Sequence, residues 1–316
     1  MEYRKLGKWG IQLSELSFGS WITFGADLDS SGVKECIKFA FDNGINFFDN
    51  AEVYSNGASE MLMGDVLQLF PREEIVVSTK IFWGGKGPNS IGLSWKHLIE
   101  GAKNSLKRLQ LDYVDLLFCH RPDPNTPVEE TVRAMNHLIQ QGLVFYWGTS
   151  EWSRSQIEEA HQIATLNHLI PPAMEQPQYN LFHRYRVEKE YASLYDSVGM
   201  GTTIWSPLDS GILTGKYNEG IPEKSRLHNH NWLQEHLSYT KVEKVRKLQK
   251  IADQLSASCA QLAIAWCLKN PHVSSVILGA SQVSQIKHNL KAVQLKAHLT
   301  DEIMQQIDAI FSISGK

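Results

Sequence analysis

Three stretches decide how this chain folds: NFFDNAEVY at 46–54, IVVSTK at 75–80 and YVDLLFCH at 113–120. The runs Ile45–Phe48, Ile75–Thr79 and Val114–Cys119 within them are short, apolar and rich in Val, Ile, Leu, Phe and Tyr, which is how buried strands read. Longer segments with helical spacing separate them, and strand–helix alternation is the pattern of a parallel sheet. Each run closes on polar residues: Asp49 and Tyr54 after the first, Lys80 after the second, His120 after the third. In a (β/α)8 barrel every strand ends at one mouth, so three separate strand ends deliver Asp, Tyr, Lys and His to one cavity on the catalytic face.

The four residue types suit reduction of a carbonyl. A carbonyl that accepts a hydride builds negative charge on oxygen, which a poised acid must meet with a proton. Tyr54 is a candidate for that acid, but a free phenol with a pKa of roughly 10 needs a nearby cation, which Lys80 supplies. Burying the Lys80 ammonium is costly unless a carboxylate pairs with it, and Asp49 is the matching counter-ion. His120 can hydrogen-bond and orient the carbonyl oxygen. Taken singly, each has a blander use: Asp49 as a helix cap, Lys80 in solvent, His120 as a hydrogen-bonded structural residue, Tyr54 as a surface aromatic. Their order along the chain raises the catalytic reading above these.

The rest of the chain extends the alternation. Helical patterns cover about Ser31–Asn43, Ala58–Leu69, Ser94–Leu109, Val128–Gln140 and Ser153–Ala164, and further strands fall near Leu16–Phe18, Val144–Trp147, Ala173–Glu175, Thr202–Trp205 and Ser275–Leu278. Tyr3–Leu6 and Ile11–Leu13 flank Lys8-Trp9-Gly10 as a small hairpin. At 316 residues the chain has the length of one such barrel, so a single domain over 1–316 is expected. Hydrophobic residues at 42% and charged residues at 21% are ordinary globular values. A net charge of −3 without a Lys/Arg run gives no footing for nucleic acid. The four cysteines form no CxxC pair and read as reduced thiols, and no leader pattern or long apolar run supports secretion or membrane insertion, so a cytoplasmic enzyme is expected. His228 and His230 lack the companions of a metal site, and no metal is expected.

The strings DNAEVYSNGASE, the Lys after IVVST, LLFCHRPDPNTPVEET and YWGTSEWS resemble the aldo-keto reductase superfamily. IFWGGK, WSPLDSGILTGKY, QLAIAWCLKNPHVSSVILGAS and the spacing to Asn289 resemble most the branch that contains the β subunits of voltage-gated potassium channels. The resemblance runs from about Tyr3 to the end. It implies a (β/α)8 TIM barrel plugged below by the hairpin, an oxidoreductase using NADP(H), and an extended dinucleotide across the mouth. No G-x-G-x-x-G stands between a strand and a helix, so a Rossmann site is disfavoured, and G-x-x-x-G-K-Y is not a Walker loop.

By the same resemblance Ser150 and Gln176 hold the nicotinamide carboxamide and Trp205 stacks on its ring, with Ser20 and Trp21 as further cofactor contacts after the first barrel strand. Ser206, Pro207 and Leu208 lead into a non-periodic stretch, Pro207–Tyr239, that closes over the pyrophosphate, with Gly211, Gly215 and Lys216 as phosphate contacts. Arg226, Ser281, Gln285 and Asn289 serve the adenosine phosphate end, although Gln285 and Asn289 also fit the polar face of a helix over Gln282–Leu290. A 2′-phosphate is best met by Arg, so Lys216 and Arg226 favour NADP over NAD. Trp21, Phe82, Trp83 and Trp152 are candidates for an aromatic substrate pocket.

The chain departs from the channel-like pattern in having His rather than Asn at 120, which favours turnover, and in Glu151 and His288, which stand in place of other side chains at the cofactor. Two functions are therefore expected in that order: an NADPH-dependent reductase of aldehydes or ketones acting on a small carbonyl substrate, and a redox-sensing partner of a potassium channel. The channel-like branch often forms tetramers, so the resemblance also implies a homotetramer.

Overall fold

The computed structural model describes residues 1–312; residues 313–316, which the one-domain expectation includes, lie outside the described residues. Strands β1 (Tyr3–Lys5) and β2 (Gln12–Ser14) form an antiparallel hairpin. The barrel is β3 (Leu16–Gly19), β4 (Phe47–Asp49), β5 (Val76–Ile81), β6 (Val114–Cys119), β7 (Val144–Ser150), β8 (Met174–Gln176), β9 (Gly201–Ile204) and β10 (Ser275–Leu278). These run in that order and close when β10 pairs in parallel with β3. The chain is thus a (β/α)8 TIM barrel with an N-terminal hairpin.

Helices α1 (Ser30–Asp42), α2 (Ala58–Leu67), α3 (Trp95–Leu109), α4 (Val128–Gln140), α5 (Arg154–Leu166) and α6 (Ala192–Ser197) alternate with the strands. The short α7 (Arg226–Asn229) is followed by α8 (Tyr239–Gln254), α9 (Cys259–Lys269), α10 (Val283–Leu290), α11 (Ala292–Leu295) and α12 (Asp301–Ile310). Several start where the sequence offers a hydroxyl cap: Ser94 accepts from the His97 amide, and Ser153 and Ser258 each form a reciprocal capping box with a Gln three residues on.

Alternation along each strand decides what enters the barrel. In β5, Val76, Ser78 and Lys80 point inward, whereas Val77 and Ile81 pack outward against the helices and the Thr79 hydroxyl donates to Glu60 of α2. In β6, Leu116 and Phe118 fill the interior while Leu117 and Cys119 face the helices, which brings His120 inward next. In β4, Phe47 faces in, Phe48 out and Asp49 in. Phe47, Leu116, Phe118, Met174 and Ile277 make an apolar floor with Leu6 and Leu13 of the hairpin. The hairpin seats against the backbone at 199–201: Gly7 has φ of +57°, and a Cβ there would lie 2.2 Å from the Gly199 carbonyl oxygen. The floor seals one end, and polar residues crown the other.

Several strands run further than the sequence pattern marks. β5 continues through Lys80 to Ile81 rather than stopping at Thr79, because Asp49 neutralises the lysine inside the ladder. β7 continues from Trp147 through Gly148, Thr149 and Ser150: Gly148, a weak strand former, is carried by pairing on both edges together with Thr149, and Ser150 pairs with Gln176 of β8. The stretch 207–239 is not structureless: it winds through helical turns at Asp209–Thr214, Arg226–Asn229 and Asn231–His236. Among the described residues no helix is long and apolar enough to cross a membrane.

Candidate active site

The inward register carries the four singled-out residues to one point. Lys80 Nζ donates to Asp49 Oδ2 at 2.6 Å, to the Asn50 carbonyl at 2.7 Å and to Tyr54 Oη at 3.2 Å, which spends its three protons. Asp49 Oδ1 accepts from Ser78 Oγ at 2.7 Å and Gln176 Nε2 at 3.0 Å, so the carboxylate is fixed on both oxygens. Tyr54 follows β4 and is aimed back at the mouth by left-handed residues Ser55, Asn56 and Gly57, the Ser55 hydroxyl donating to the Phe24 carbonyl. The Tyr54 and His120 rings meet edge to face with centroids 5.9 Å apart.

Electrostatics assign the protonation states. Burial would pull the Lys80 ammonium down, but Asp49 and Tyr54 outweigh it and its pKa stands above the ordinary lysine value. Burial raises the Tyr54 phenol, with Lys80 opposing, so at neutral pH it keeps its proton. Burial, then the charges of Lys80 and Arg121, hold His120 well below the ordinary imidazole value, so it is neutral. Its Nδ1 is buried without a hydrogen-bond partner. The Nε2–H tautomer leaves that atom an unprotonated lone pair and presents a donor to the cavity. A neutral phenol and a neutral imidazole donor side by side are the pair that a carbonyl oxygen gaining charge requires.

From this floor a cavity of about 1040 Å³ runs along the mouth to Gln285 and Asn289, at or beyond the upper end of the range for a small-molecule site. Of the sequence-predicted cofactor residues, Trp21, Asp49, Ser150, Gln176, Trp205, Ser206, Pro207, Leu208, Gly211, Gly215, Lys216, Arg226, Ser281, Gln285 and Asn289 all line it. Ser20 does not: it is fully buried, and its hydroxyl donates to the Asp49 carbonyl. Trp83 lines the cavity, with its ring centroid 5.1 Å from that of His120, but Phe82 and Trp152 do not. Trp152 is 2% exposed and packs in the core between barrel and helices, and Phe82 meets Trp83 edge to face with ring centroids 4.7 Å apart.

Glu151 and His288, where the chain departs from the channel-like pattern, are both built in. Glu151 Oε1 accepts from the Trp205 indole Nε1 at 3.0 Å and the Gln178 amide at 2.6 Å, while Oε2 accepts from Arg186 at 2.7 Å. It therefore clamps the ring expected to stack on nicotinamide. The His288 Nε2 pairs with Ser258 Oγ at 2.8 Å on the cavity wall.

The far half of the cavity is cationic. Lys216, Lys224 and Arg226 line it, and among the described residues none has a carboxylate within 4.0 Å. Arg226 lies across Gly279, where a Cβ would come 3.4 Å from Nη2; burial lowers its pKa, with Tyr217 and Asp27 opposing. A partly buried guanidinium without a paired carboxylate fits an anionic ligand. Gly211 and Gly215, with φ of +92° and +81°, shape the loop so that the Lys216 ammonium folds over it; a Cβ on Gly211 would meet Lys216 Nζ at 3.1 Å. Lys241 at 2.6 Å and His183 at 3.6 Å pin Asp209 and hold the loop's root. Sequence reasoning missed Arg121, Lys224 and Asp27 in the lining; Arg121 was legible as the neighbour of His120 at a strand end, whereas the other two sit in loops without periodicity.

Comparison with known proteins agrees with this geometry. The chain is 53% identical to a probable voltage-gated potassium channel subunit beta of Arabidopsis thaliana, over all of this chain and 98% of that protein. It is 52% identical to the protein of the same description from Oryza sativa subsp. japonica, with the same coverage. A putative voltage-gated potassium channel subunit beta of Schizosaccharomyces pombe is 51% identical over 99% of this chain and 94% of its own length. The sequence model of the Aldo/keto reductase family matches residues 15–312, and with the barrel and the similarity to these relatives it establishes that the chain belongs to the aldo/keto reductase family of oxidoreductases.

Proposed function

We propose that the protein reduces aldehydes or ketones to alcohols with NADPH, with Tyr54 as the proton donor. The observation that carries this reading is the buried chain Asp49–Lys80–Tyr54 beside a neutral His120. When bound, the dihydronicotinamide supplies a hydride to the carbonyl carbon and is itself oxidised to NADP⁺. His120 Nε2–H and the Tyr54 hydroxyl hold the carbonyl oxygen, the C=O π pair moves onto that oxygen, and Tyr54 gives it a proton. Lys80 stabilises the tyrosinate left behind, and Asp49 keeps Lys80 charged. The donor set fits the cofactor: Gln176 spends both Nε2 protons on Asp49 and Thr203, leaving its Oε1 as an acceptor for a carboxamide NH₂. Glu151 fixes Trp205 as a stacking platform, and Lys216, Lys224 and Arg226 form the cationic half that receives pyrophosphate and 2′-phosphate, which is the basis for NADP(H) over NAD(H).

A second role is supported by the names of the three relatives given above, each described as a probable or putative voltage-gated potassium channel subunit beta. In that role the loaded barrel, assembled as a homotetramer, binds a potassium channel and reports its redox state; catalysis and channel binding are compatible on one scaffold. The test of the first reading is NADPH oxidation by the purified protein across aldehydes and ketones, with sizing of the same sample. Turnover of at least one carbonyl class supports the reductase, and its absence with NADPH demonstrably bound favours the channel-partner role alone.

A further inference from the structure

Arg121 follows His120 at the end of β6 and lines the cavity half-buried, yet it takes no part in the proton chain. A guanidinium carries five N–H donors. Here Nη1 spends its two on the His120 carbonyl at 2.5 Å and Ser150 Oγ at 3.3 Å, and Nε and Nη2 have no partner among the described residues. No carboxylate of the described residues lies within 4.0 Å of it; the two carboxylates in the cavity wall are Asp49, which Lys80 holds, and Asp27, whose charge is felt at Arg226. The free edge of the guanidinium is the fork that grips a carboxylate through two parallel bonds. Trp83 connects it to the reaction point, its ring centroid lying 5.6 Å from Arg121 Cζ and 5.1 Å from the His120 ring centroid.

We infer that the substrates are aldehydes carrying a carboxylate a few bonds from the carbonyl, with Arg121 gripping the carboxylate across the face of Trp83 while Tyr54 and His120 hold the carbonyl oxygen. This rests on the reductase reading for the chemistry but not for the binding. The anion is a spectator in the reduction; it orients the substrate, and the cationic site rejects neutral molecules of the same shape by leaving a fork unpaired. The cofactor's own phosphates are matched by Lys216, Lys224 and Arg226 at the other end, so Arg121 is left for the substrate.

The test uses the NADP⁺-loaded protein and two pairs of probes that differ in charge but hardly in shape. Benzoate and benzamide are titrated against tryptophan fluorescence, and kcat/KM is measured for 4-carboxybenzaldehyde and 4-carbamoylbenzaldehyde. Wild type is expected to favour the anion in each pair by about tenfold or more, the worth of a charge-assisted bidentate contact. Arg121→Met should collapse both ratios toward unity, and Arg121→Lys, which keeps the charge without the fork, should retain part. Equal binding of benzoate and benzamide by wild type overturns the proposal. So does a preference that survives in Arg121→Met, including the case where that variant loses NADPH affinity instead, which would give Arg121 to the cofactor. If the Met variant does not fold, a Lys variant as selective as wild type overturns it. If wild type reduces no carbonyl at all, the reductase reading fails, while the benzoate titration still decides the anion site.

Discussion

Removing the ammonium of Lys80 while leaving its partner is the perturbation whose cost the structure specifies best. In Lys80→Met the side chain keeps its apolar volume, but Asp49, with only 5% of its side chain exposed, loses the cation it is paired with. Breaking a buried pair from one side costs about 3–5 kcal/mol, because an uncompensated charge stays behind. The Ser78 and Gln176 donors still reach Asp49 Oδ1, which points to the lower part of that range. Near 3 kcal/mol, with roughly 2–4 °C of melting temperature per kcal/mol for a large domain, the expected fall is about 6–12 °C. Adding Asp49→Asn removes the stranded charge, so the double variant should regain more than half of the loss. Thermal melts of wild type, both single variants and the double variant complete the cycle. The reasoning is refuted if Lys80→Met melts within about 2 °C of wild type, a shift worth at most ~1 kcal/mol, or if the two substitutions simply add.

Three further outcomes follow from other parts of the site. Arg226→Ala should narrow the preference for NADPH over NADH by about tenfold, read as fluorescence quenching by each cofactor, since only the 2′-phosphate needs that guanidinium; an unchanged ratio would remove Arg226 from the assignment. His120→Asn should lower kcat by about 10² while leaving NADPH affinity within about twofold, because the imidazole meets the developing oxyanion and the cofactor is held elsewhere; single-turnover rates at saturating cofactor decide it. His161, buried beside the lower end of the barrel, has its pKa pulled down to about 4, first by burial and then by Lys8. Its folded-state value lies below its unfolded one, so its contribution is present above about pH 6.5 and is lost as the pH falls toward 4, at no more than about 1.4 kcal/mol per pH unit. Urea unfolding of His161→Gln at pH 7 and pH 5 should show a smaller acid loss than wild type.

How much of this was legible in the sequence differs by element. The barrel and the meeting of Asp49, Tyr54, Lys80 and His120 at one mouth were, because buried parallel strands carry continuous apolar runs and the polar residue that ends each one stands out. Strand ends were read short at Lys80 and at Gly148–Ser150, since a charge and a glycine look like termini until a counter-ion or two flanking strands are in view. The pocket wall was read correctly at Trp83 and wrongly at Trp152, because an indole beside a strand end looks the same in sequence whether the chain turns it to the mouth or to the core. Glu151 was noticed only as a departure from a pattern; that it accepts from the Trp205 indole depends on contacts across β7, β8 and β9 that no local spacing encodes. The cofactor half came from resemblance, and the structure adds its physical content: cations gathered on one side of a long cavity with no carboxylate of the described residues within 4.0 Å of them, Asp27 acting on Arg226 only from further off.

The central claim is that Tyr54 delivers the proton, and the most direct measurement is single-turnover oxidation of bound NADPH by Tyr54→Phe, followed beside wild type on an aldehyde that wild type reduces. General acid catalysis is worth about 10²–10⁴ in rate. The account predicts a loss of that size, with NADPH still quenching tryptophan fluorescence at wild-type concentrations, because the phenol touches Lys80 and the substrate oxygen but does not hold the cofactor. Hydride transfer within a few-fold of wild type in Tyr54→Phe would contradict it.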